Sequence, residues 1–199
     1  MMTPPTFPMR PMNGGNLESK FATLPPWARA YEPKVNGWRV IVHSPSGACF
    51  NRHNEPLTIA GEFKAALAIL KDSPFTWLDC EGLSRRHHLG KGSLVVLDII
   101  DLHWNSWAQR KRVIVDYFKL AIIDPRIIQD NWVYHLPTIE AEKANGVWQS
   151  LQAQNESVNL TGENVFWEGL VCKRLDSAYT LQLQDSKRET TNWIKHRFI

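Results

Sequence analysis

The sequence has little cysteine, and the cysteine it has shows no pattern. Cys49, Cys80 and Cys172 form an odd set without metal-ligand spacing. Neither a zinc site of the common spacings nor a disulfide framework fits such a set, and a thiol nucleophile fits poorly. We expect three reduced, small hydrophobic side chains in a core, as in a protein of a reducing compartment such as the cytoplasm.

Long apolar runs are missing as well. No stretch approaches the ~18 to 20 apolar residues that cross a bilayer, so we expect no membrane span. Residues 1–16 are rich in Pro, Met and Gly and have no apolar segment like that of a secretory signal. We predict a flexible N-terminal arm over residues 1–20 and one folded domain over residues 21–199.

The chain also lacks a strong excess of one charge. The 23 Lys and Arg residues exceed the 20 Asp and Glu residues slightly, for a formal charge of +3 and a pI near 8.8. This excess permits nucleic-acid binding without requiring it. With 43% hydrophobic and 22% charged residues, the composition is that of an ordinary globular domain.

What the chain does have is a series of short strands in pairs, interrupted by helices. Strands are predicted over residues 38–44, 48–52, 75–81, 94–101, 165–174, 178–183 and 191–197. Helices are predicted over residues 59–71, 107–120 (with Ser106 as the N-cap) and 138–154. Hairpin pairs separated by helices indicate an α+β fold rather than a doubly wound one.

The most informative segment is Glu32-Pro33-Lys34-Val35-Asn36-Gly37-Trp38-Arg39, where a lysine is followed by a glycine and then an arginine. Four further segments follow in order: Leu78-Asp79-Cys80-Glu81, Val95-Val96-Leu97-Asp98, Glu168-Gly169-Leu170-Val171-Cys172-Lys173 and Trp193-Ile194-Lys195-His196-Arg197. An unprotonated lysine amine can attack the α-phosphate of a nucleotide, hold the AMP group and release it. Near neutral pH this requires partial burial and nearby cations, which Arg39, Lys173 and Lys195 would supply.

Together these segments resemble the nucleotidyltransferase motifs of ATP-dependent DNA ligases, whose relatives include RNA ligases and mRNA-capping guanylyltransferases. The resemblance spans roughly residues 31–197, nearly the whole chain. It implies an α+β nucleotidyltransferase (ATP-grasp-like) fold of two packed, largely antiparallel sheets, with flanking helices and a nucleotide cleft between the sheets. It also implies ATP as the substrate that donates AMP, and Mg²⁺ (or Mn²⁺) as the metal.

The same resemblance assigns roles to ten residues. Lys34 matches the nucleophile. Glu168 matches a metal ligand, and Glu81 matches a residue that contacts the ribose and the metal. Glu32 sits where the adenine edge is recognised, and Leu97 where the adenine ring is stacked. The phosphate contacts fall on five cations: Arg39, Arg52, Lys173, Lys195 and Arg197. For Glu32 and Arg52 the alternative is an ordinary solvated hairpin residue.

Four positions depart from the DNA ligase pattern. Asn36 replaces the usual aspartate, at a position where RNA ligases vary, and Cys80 stands where glycine is usual. Arg197 replaces a second lysine and keeps its charge. Leu97 replaces a Phe or Tyr that stacks on adenine, so it keeps an apolar face but loses aromatic stacking. One of the nine tryptophans could compensate for this loss.

Arg110 matches an arginine that follows the third motif and supports the nucleotide pocket. The alternative for residues 109–112 is a solvated helix face. DNA ligases usually continue past the last motif into an oligonucleotide-binding barrel that this sequence lacks. We therefore expect a minimal adenylation domain, which is either a catalytic fragment of a longer protein, a monomer that works without the barrel, or a protein whose partner supplies the barrel. Lys20, Arg29 and the loop of residues 85–91 are candidates for direct contacts to DNA phosphates, with a solvated connection as the alternative for the loop.

The leading hypothesis is ATP-dependent sealing of nicks in duplex DNA. Lys34 is adenylated, AMP passes to a 5′-phosphate, and a 3′-hydroxyl displaces it. An RNA ligase or RNA-repair enzyme acting on RNA-containing ends is the first alternative, favoured by Asn36 and the missing barrel. The alternative from another class is a non-catalytic nucleic-acid-binding module with a relic nucleotide pocket. Retention of Lys34 and of the other charged site residues argues against such a module.

Overall fold

A computed structural model gives the structure of the chain and describes residues 3–15, 25–100, 106–161, 164–179 and 189–198. The strands in these ranges are β1 (Arg10–Asn13), β2 (Arg29–Val35), β3 (Trp38–His43), β4 (Ala48–Phe50), β5 (Trp77–Leu83), β6 (Ser93–Ile99), β7 (Val133–His135), β8 (Ile139–Glu140), β9 (Trp167–Arg174) and β10 (Glu189–Arg197). The α-helices are α1 (Lys64–Lys71), α2 (Trp107–Phe118) and α3 (Ala144–Ser157). Among the described residues, no helix combines the length and the apolar character needed to cross a bilayer.

The strands form two five-stranded sheets. The first sheet has the order β1-β10-β9-β2-β8, and only its β1–β10 pair is parallel. The second sheet has the order β4-β3-β5-β6-β7, and only its β6–β7 pair is parallel. The predicted α+β fold of two largely antiparallel sheets with flanking helices is therefore confirmed.

Three clusters of buried apolar side chains hold these layers together. One packs α1 and α2 against the second sheet, with Ile114 fully buried. Another packs α3 against the first sheet through Leu151. The third joins the two sheets and includes Ile41 of β3 and Trp193 of β10. Because truncating a buried tryptophan to alanine costs about 3–5 kcal/mol, this third cluster strongly fixes how the sheets face each other.

Helix α2 begins as predicted at Ser106. The Ser106 hydroxyl accepts a hydrogen bond from the Gln109 backbone amide, and the Gln109 side chain accepts one from the Ser106 amide, which makes a capping box. The helix ends at Phe118, two residues earlier than predicted. Its buried face consists of Trp107, Arg110, Lys111, Ile114 and Phe118, so two cations lie on the side that faces the sheet.

The N-terminal segment is more ordered than the sequence suggested. Arg10–Asn13 form β1 and pair in parallel with β10, so a flexible arm is the wrong description for these residues. Met9 is fully buried, and its backbone amide donates a hydrogen bond to the Tyr179 hydroxyl. Residues 16–24 lie outside the described residues, and the boundary between arm and domain stays a prediction.

One predicted helix starts too early. Residues 139–140 form β8 and pair with Ala30 and Tyr31 of β2, and α3 begins only at Ala144 after a short 3-10 turn. Strands β1, β2, β7 and β8 have no counterpart among the predicted elements. The strand predicted over residues 178–183 lies largely outside the described residues, and residues 178–179 are not in a strand. The other predicted elements match observed ones, with ends that shift by up to five residues.

Candidate active site

A cavity of about 850 Å³ is lined by side chains from both sheets. Strands β2, β9 and β10 contribute from the first sheet, and β3, β5 and β6 from the second. All ten residues predicted for the site line this cavity: Glu32, Lys34, Arg39, Arg52, Glu81, Leu97, Glu168, Lys173, Lys195 and Arg197. The fold therefore brings together residues that are up to 165 positions apart in the sequence.

Lys34 lies near the end of β2, opposite Gly169 of β9, and this register places it beside Glu168. Its Nζ is 2.6 Å from Glu168 Oε2, and the same oxygen accepts a hydrogen bond from Arg197 Nε at 2.9 Å. Burial alone would raise the pKa of Glu168, but the two cations outweigh burial and lower it. The Glu168 carboxylate thus contacts both the Lys34 amine and the Arg197 guanidinium.

Gly37 is required by a close approach between the β2–β3 turn and β5. A Cβ at this position would lie 2.8 Å from both Glu81 Cγ and the Gly82 backbone oxygen. The neighbouring Asn36 explains one departure from the DNA ligase pattern, because its side-chain amide donates a hydrogen bond to the Val165 carbonyl at 3.0 Å. An aspartate could not donate this hydrogen bond.

Glu32 lies at the centre of a buried ionic network. It is 1% exposed, and its carboxylate pairs with Lys111 and, at 2.5 Å, with Lys173 Nζ. Lys111 also donates to the Leu136 carbonyl at 2.5 Å. The solvated alternative for Glu32 is therefore wrong, and its carboxylate is held by protein cations within the cavity wall.

Lys111 is the residue of this network that the sequence analysis missed. The spacing of the residues along α2 could have predicted that Lys111 is buried. Residues 107, 110, 111, 114 and 118 follow the period of one helix face, and two of them are apolar aromatic anchors, Trp107 and Phe118. A lysine on that face must be buried, and a buried lysine needs a carboxylate partner.

Lys173 is 2% exposed and is surrounded by aromatic rings as well as charge. Its Nζ lies 3.9 Å from the ring centroid of Trp193 and 5.4 Å from that of Trp107, and it donates to the Leu97 carbonyl at 3.0 Å. Burial lowers the pKa of Lys173, although the carboxylates of Glu32 and Asp98 oppose this shift. Trp193 also lines the cavity, but it is 1% exposed and its ring is packed against Lys173, whereas Trp38, which lines the cavity too, is 50% exposed.

Arg39 lines the cavity, but most of its donors are used by the protein. It forms a two-pronged ion pair with the fully buried Asp79, and its NH2 donates to the Met9 carbonyl at 3.1 Å. Asp79 also accepts a hydrogen bond from the Tyr179 hydroxyl at 2.6 Å. Burial opposes the charged form of Arg39, but Asp79 outweighs burial and raises the pKa of the guanidinium. Sequence reasoning did not predict this anchor.

Arg110 is fully buried and forms a comparable pair with Asp98 at 2.7 and 3.0 Å. Its NH1 donates to the Ser177 carbonyl at 3.1 Å. The solvated alternative is therefore wrong for Arg110 and Lys111, and right for Arg112, whose side chain is 85% exposed.

No protein-family model and no curated protein matches the sequence. Solved structures do match. The ligase domain of M. tuberculosis LigD has a TM-score of 0.60 at 18% identity, over 96% of this chain and 59% of that one. A mycobacterial DNA ligase D complexed with ATP and MES has a TM-score of 0.60 at 18% identity, over 97% of this chain and 60% of that one. The Chlorella virus DNA ligase-adenylate has a TM-score of 0.61 at 14% identity, over 98% of this chain and 68% of that one.

This chain has the fold of a DNA ligase nucleotidyltransferase domain. It spans about 60% of the length of the two LigD structures, so the similarity concerns this domain alone. Within the nucleotidyltransferase fold, the five sequence motifs occupy the strands that line the cavity. The expected nucleotide cleft between the sheets therefore corresponds to a cavity in the structure.

Two carboxylates of the cavity suit a divalent cation. Glu81 and Glu168 both line the cavity, and carboxylate oxygens are the ligands that Mg²⁺ prefers. Burial, opposed by Lys34 and Arg39, raises the pKa of Glu81. Among the described residues, no cluster of three or more potential metal-ligating side chains is present. Mg²⁺ usually keeps several water ligands and uses one or two carboxylates, so two carboxylates fit this metal.

The other predicted contacts are spread over the surface of the domain. Arg52 lines the cavity and is exposed, with its Nε 3.1 Å from the His53 ring. In the loop of residues 85–91, Arg85, Arg86 and Lys91 are exposed. The loop also has a structural contact, because His87 Nε2 lies 2.8 Å from the Asn36 carbonyl. Lys20 lies outside the described residues, and Arg29 is half-buried in β2.

The three cysteines are buried and unpaired, as predicted. Burial raises the pKa of Cys49 and of Cys172 to about 12. Thiols that hold their protons so tightly are poor nucleophiles near neutral pH, so lysine remains the candidate nucleophile.

Proposed function

We propose that this chain is a polynucleotide ligase that works through a lysine–AMP intermediate on Lys34 and seals nicks in duplex DNA. The observation that carries the proposal is the convergence of all ten predicted residues on one cavity, in a fold that DNA ligases share. One of the similar structures is a DNA ligase D in complex with ATP, which supports ATP as the substrate here.

The first step forms a bond between phosphorus and the Lys34 nitrogen. The unprotonated amine donates its electron pair to the α-phosphorus of ATP, and the bond from that phosphorus to the bridging oxygen breaks. Pyrophosphate leaves with the electron pair of that bond. The Lys34 nitrogen, which carries a positive charge after the attack, then loses one proton to water. Because Glu168 holds Lys34 at 2.6 Å, this contact must open before attack.

The charged residues around Lys34 have distinct roles in this step. Glu81 and Glu168 would hold Mg²⁺ (or Mn²⁺), which would neutralise charge on the leaving pyrophosphate. Lys195 and Arg197 add positive charge beside the phosphates. Lys173 and Glu32 are fixed by their mutual ion pair, and the neighbouring Leu97 offers an aliphatic surface to the adenine ring.

In the later steps the AMP group leaves Lys34. The 5′-phosphate of the nick attacks the same phosphorus, the bond to Lys34 breaks, and AMP joins the nucleic-acid strand. The 3′-hydroxyl then attacks that 5′-phosphate, and AMP departs as the strand is sealed. Arg52, which is exposed and lines the cavity, would contact the nicked strand.

The experiment that tests the proposal follows radioactivity from α-labelled ATP. Wild-type protein, Lys34→Ala and the control Lys64→Ala, which changes an exposed lysine on α1, are incubated with labelled ATP and Mg²⁺ and run on a denaturing gel. Label should appear on the wild type and on Lys64→Ala but not on Lys34→Ala. Label on all three proteins, or on none, would contradict the proposal.

A panel of nicked duplexes then identifies the nucleic acid. We expect the wild type to seal an all-DNA nick. Sealing of RNA-containing ends alone would assign the chain to RNA repair. Nucleic-acid binding without any adduct would indicate a non-catalytic module.

A further inference from the structure

The cations of the cavity differ in how far the protein uses their hydrogen-bond donors. Lys34, Lys173 and Arg197 each have a carboxylate oxygen within 2.9 Å, and Arg39 has its two-pronged pair with Asp79. A phosphate that approached any of these four cations would compete with a carboxylate already in place.

Arg10 of β1 and Lys195 of β10 are different. Arg10 Nε lies 3.7 Å and Lys195 Nζ lies 3.9 Å from the same Glu189 oxygen, and both distances are too long for a hydrogen bond. Among the described residues, neither side chain donates a hydrogen bond. Both line the cavity.

The pairing of β1 with β10 creates this arrangement. In the parallel register Arg10 lies opposite Glu189 and Asn13 lies opposite Lys195, so the N-terminal strand carries Arg10 to the cavity. The Arg10 side chain is 46% exposed and that of Lys195 only 14%. A single carboxylate cannot neutralise two cations, so this part of the cavity keeps an excess of positive charge that attracts anions.

We propose that Arg10 and Lys195 together form a phosphate-binding subsite, and that the N-terminal strand is therefore part of the active site. A guanidinium fork beside an ammonium group matches several oxygens of one phosphate. The source of this phosphate rests on the proposed function, under which the phosphate belongs to the polyphosphate of ATP or to the nucleic acid. Glu189 acts as the internal competitor that an arriving phosphate displaces.

Calorimetric binding of two probes tests this subsite without turnover. The probes are inorganic pyrophosphate and a 5′-phosphorylated oligonucleotide, and the full chain is used as wild type, Arg10→Gln, Glu189→Gln and Arg112→Gln. Arg112→Gln is the matched control, since it removes the same charge from an 85% exposed side chain on α2 that does not line the cavity. Arg10→Gln should weaken binding of at least one probe about tenfold or more, and Glu189→Gln should strengthen it.

The two probes distinguish the source of the phosphate. Weaker pyrophosphate binding alone assigns the subsite to ATP, weaker oligonucleotide binding alone assigns it to the nucleic acid, and loss of both assigns it to both. The inference is overturned if Arg10→Gln binds both probes like Arg112→Gln, or if Glu189→Gln gains no affinity. A wild type that binds pyrophosphate but never forms the adduct would refute the proposed function alone.

Discussion

Replacing Glu32 with glutamine is expected to destabilise the fold strongly, because the Glu32 carboxylate neutralises two buried ammonium groups. The Glu32 side chain is 1% exposed, and those of its partners Lys111 and Lys173 are 5% and 2% exposed. A neutral amide would leave Lys111 without its carboxylate partner and Lys173 with only Asp98, which already pairs with Arg110. Removing one partner of a buried ion pair costs about 3–5 kcal/mol. For a domain of this size, that loss corresponds to a fall in Tm of about 6–20 °C.

A second substitution, Lys111→Met, tests the reasoning because its expected effect on stability has opposite signs in the wild type and in Glu32→Gln. In the wild type, Lys111→Met removes the contact to Glu32 and the hydrogen bond to Leu136, and it should cost about 1–3 kcal/mol. In the Glu32→Gln background, the same change removes a cation that has lost its counter-charge. There it should restore part of the lost stability.

Urea unfolding of the two single variants, the double variant and the wild type measures this cycle. Glu142→Gln, on an exposed side chain, serves as the control and should change stability by at most about 0.5 kcal/mol. The reasoning is refuted if Glu32→Gln matches this control. It is also refuted if Lys111→Met destabilises both backgrounds equally.

The same network predicts a dependence on pH. Burial alone would raise the pKa of Glu32, but Lys111 and Lys173 outweigh burial and lower it. A carboxyl group with a lowered folded pKa stabilises the fold above its ordinary value of 4.5, and this stabilisation is lost as the pH falls through the folded value. Glu32→Gln should therefore unfold with a weaker dependence on pH in the acid range.

Three further changes have defined outcomes. Gly37→Ala should abolish labelling by ATP, because its Cβ would lie 2.8 Å from both Glu81 Cγ and the Gly82 oxygen; normal labelling would show that the turn can shift. Tyr179→Phe should cost about 1.5–3 kcal/mol in urea unfolding, since it removes a 2.6 Å hydrogen bond to the buried Asp79, and an unchanged stability would contradict this. Glu81→Gln should weaken Mn²⁺ binding followed by paramagnetic resonance, because it removes one of the two carboxylates that line the cavity, and unchanged binding would contradict this role.

The sequence predicted the site better than it predicted the elements around it. All ten predicted residues line one cavity, and they were predicted from the resemblance of five segments to nucleotidyltransferase motifs rather than from strand periodicity. The roles of these residues, such as the nucleophilic attack by Lys34, remain predictions that biochemical experiments must test. The positions of Lys111 and Arg110 were accessible from the helical spacing of α2, but their partners Glu32 and Asp98 come from distant strands.

The misplaced elements have a common physical cause. Strand β8 has only two residues and exists because it pairs with β2, and no alternation can be recognised in so short a segment. Strand β1 depends on the exposed edge of β10, more than 170 positions later in the sequence, and its Pro and Met residues carry little strand propensity. Both strands form because they pair with strands that are distant in the sequence, and local sequence patterns carry no information about such pairing.

The central claim is that Lys34 carries AMP during the reaction, and mass spectrometry of the protein after incubation with ATP and Mg²⁺ tests it most directly. The account predicts one AMP group per chain, located by peptide mapping on Lys34 and removed by acid, as expected for a bond between phosphorus and nitrogen. An adduct on another residue, or a chain that stays unmodified at saturating ATP, would contradict it.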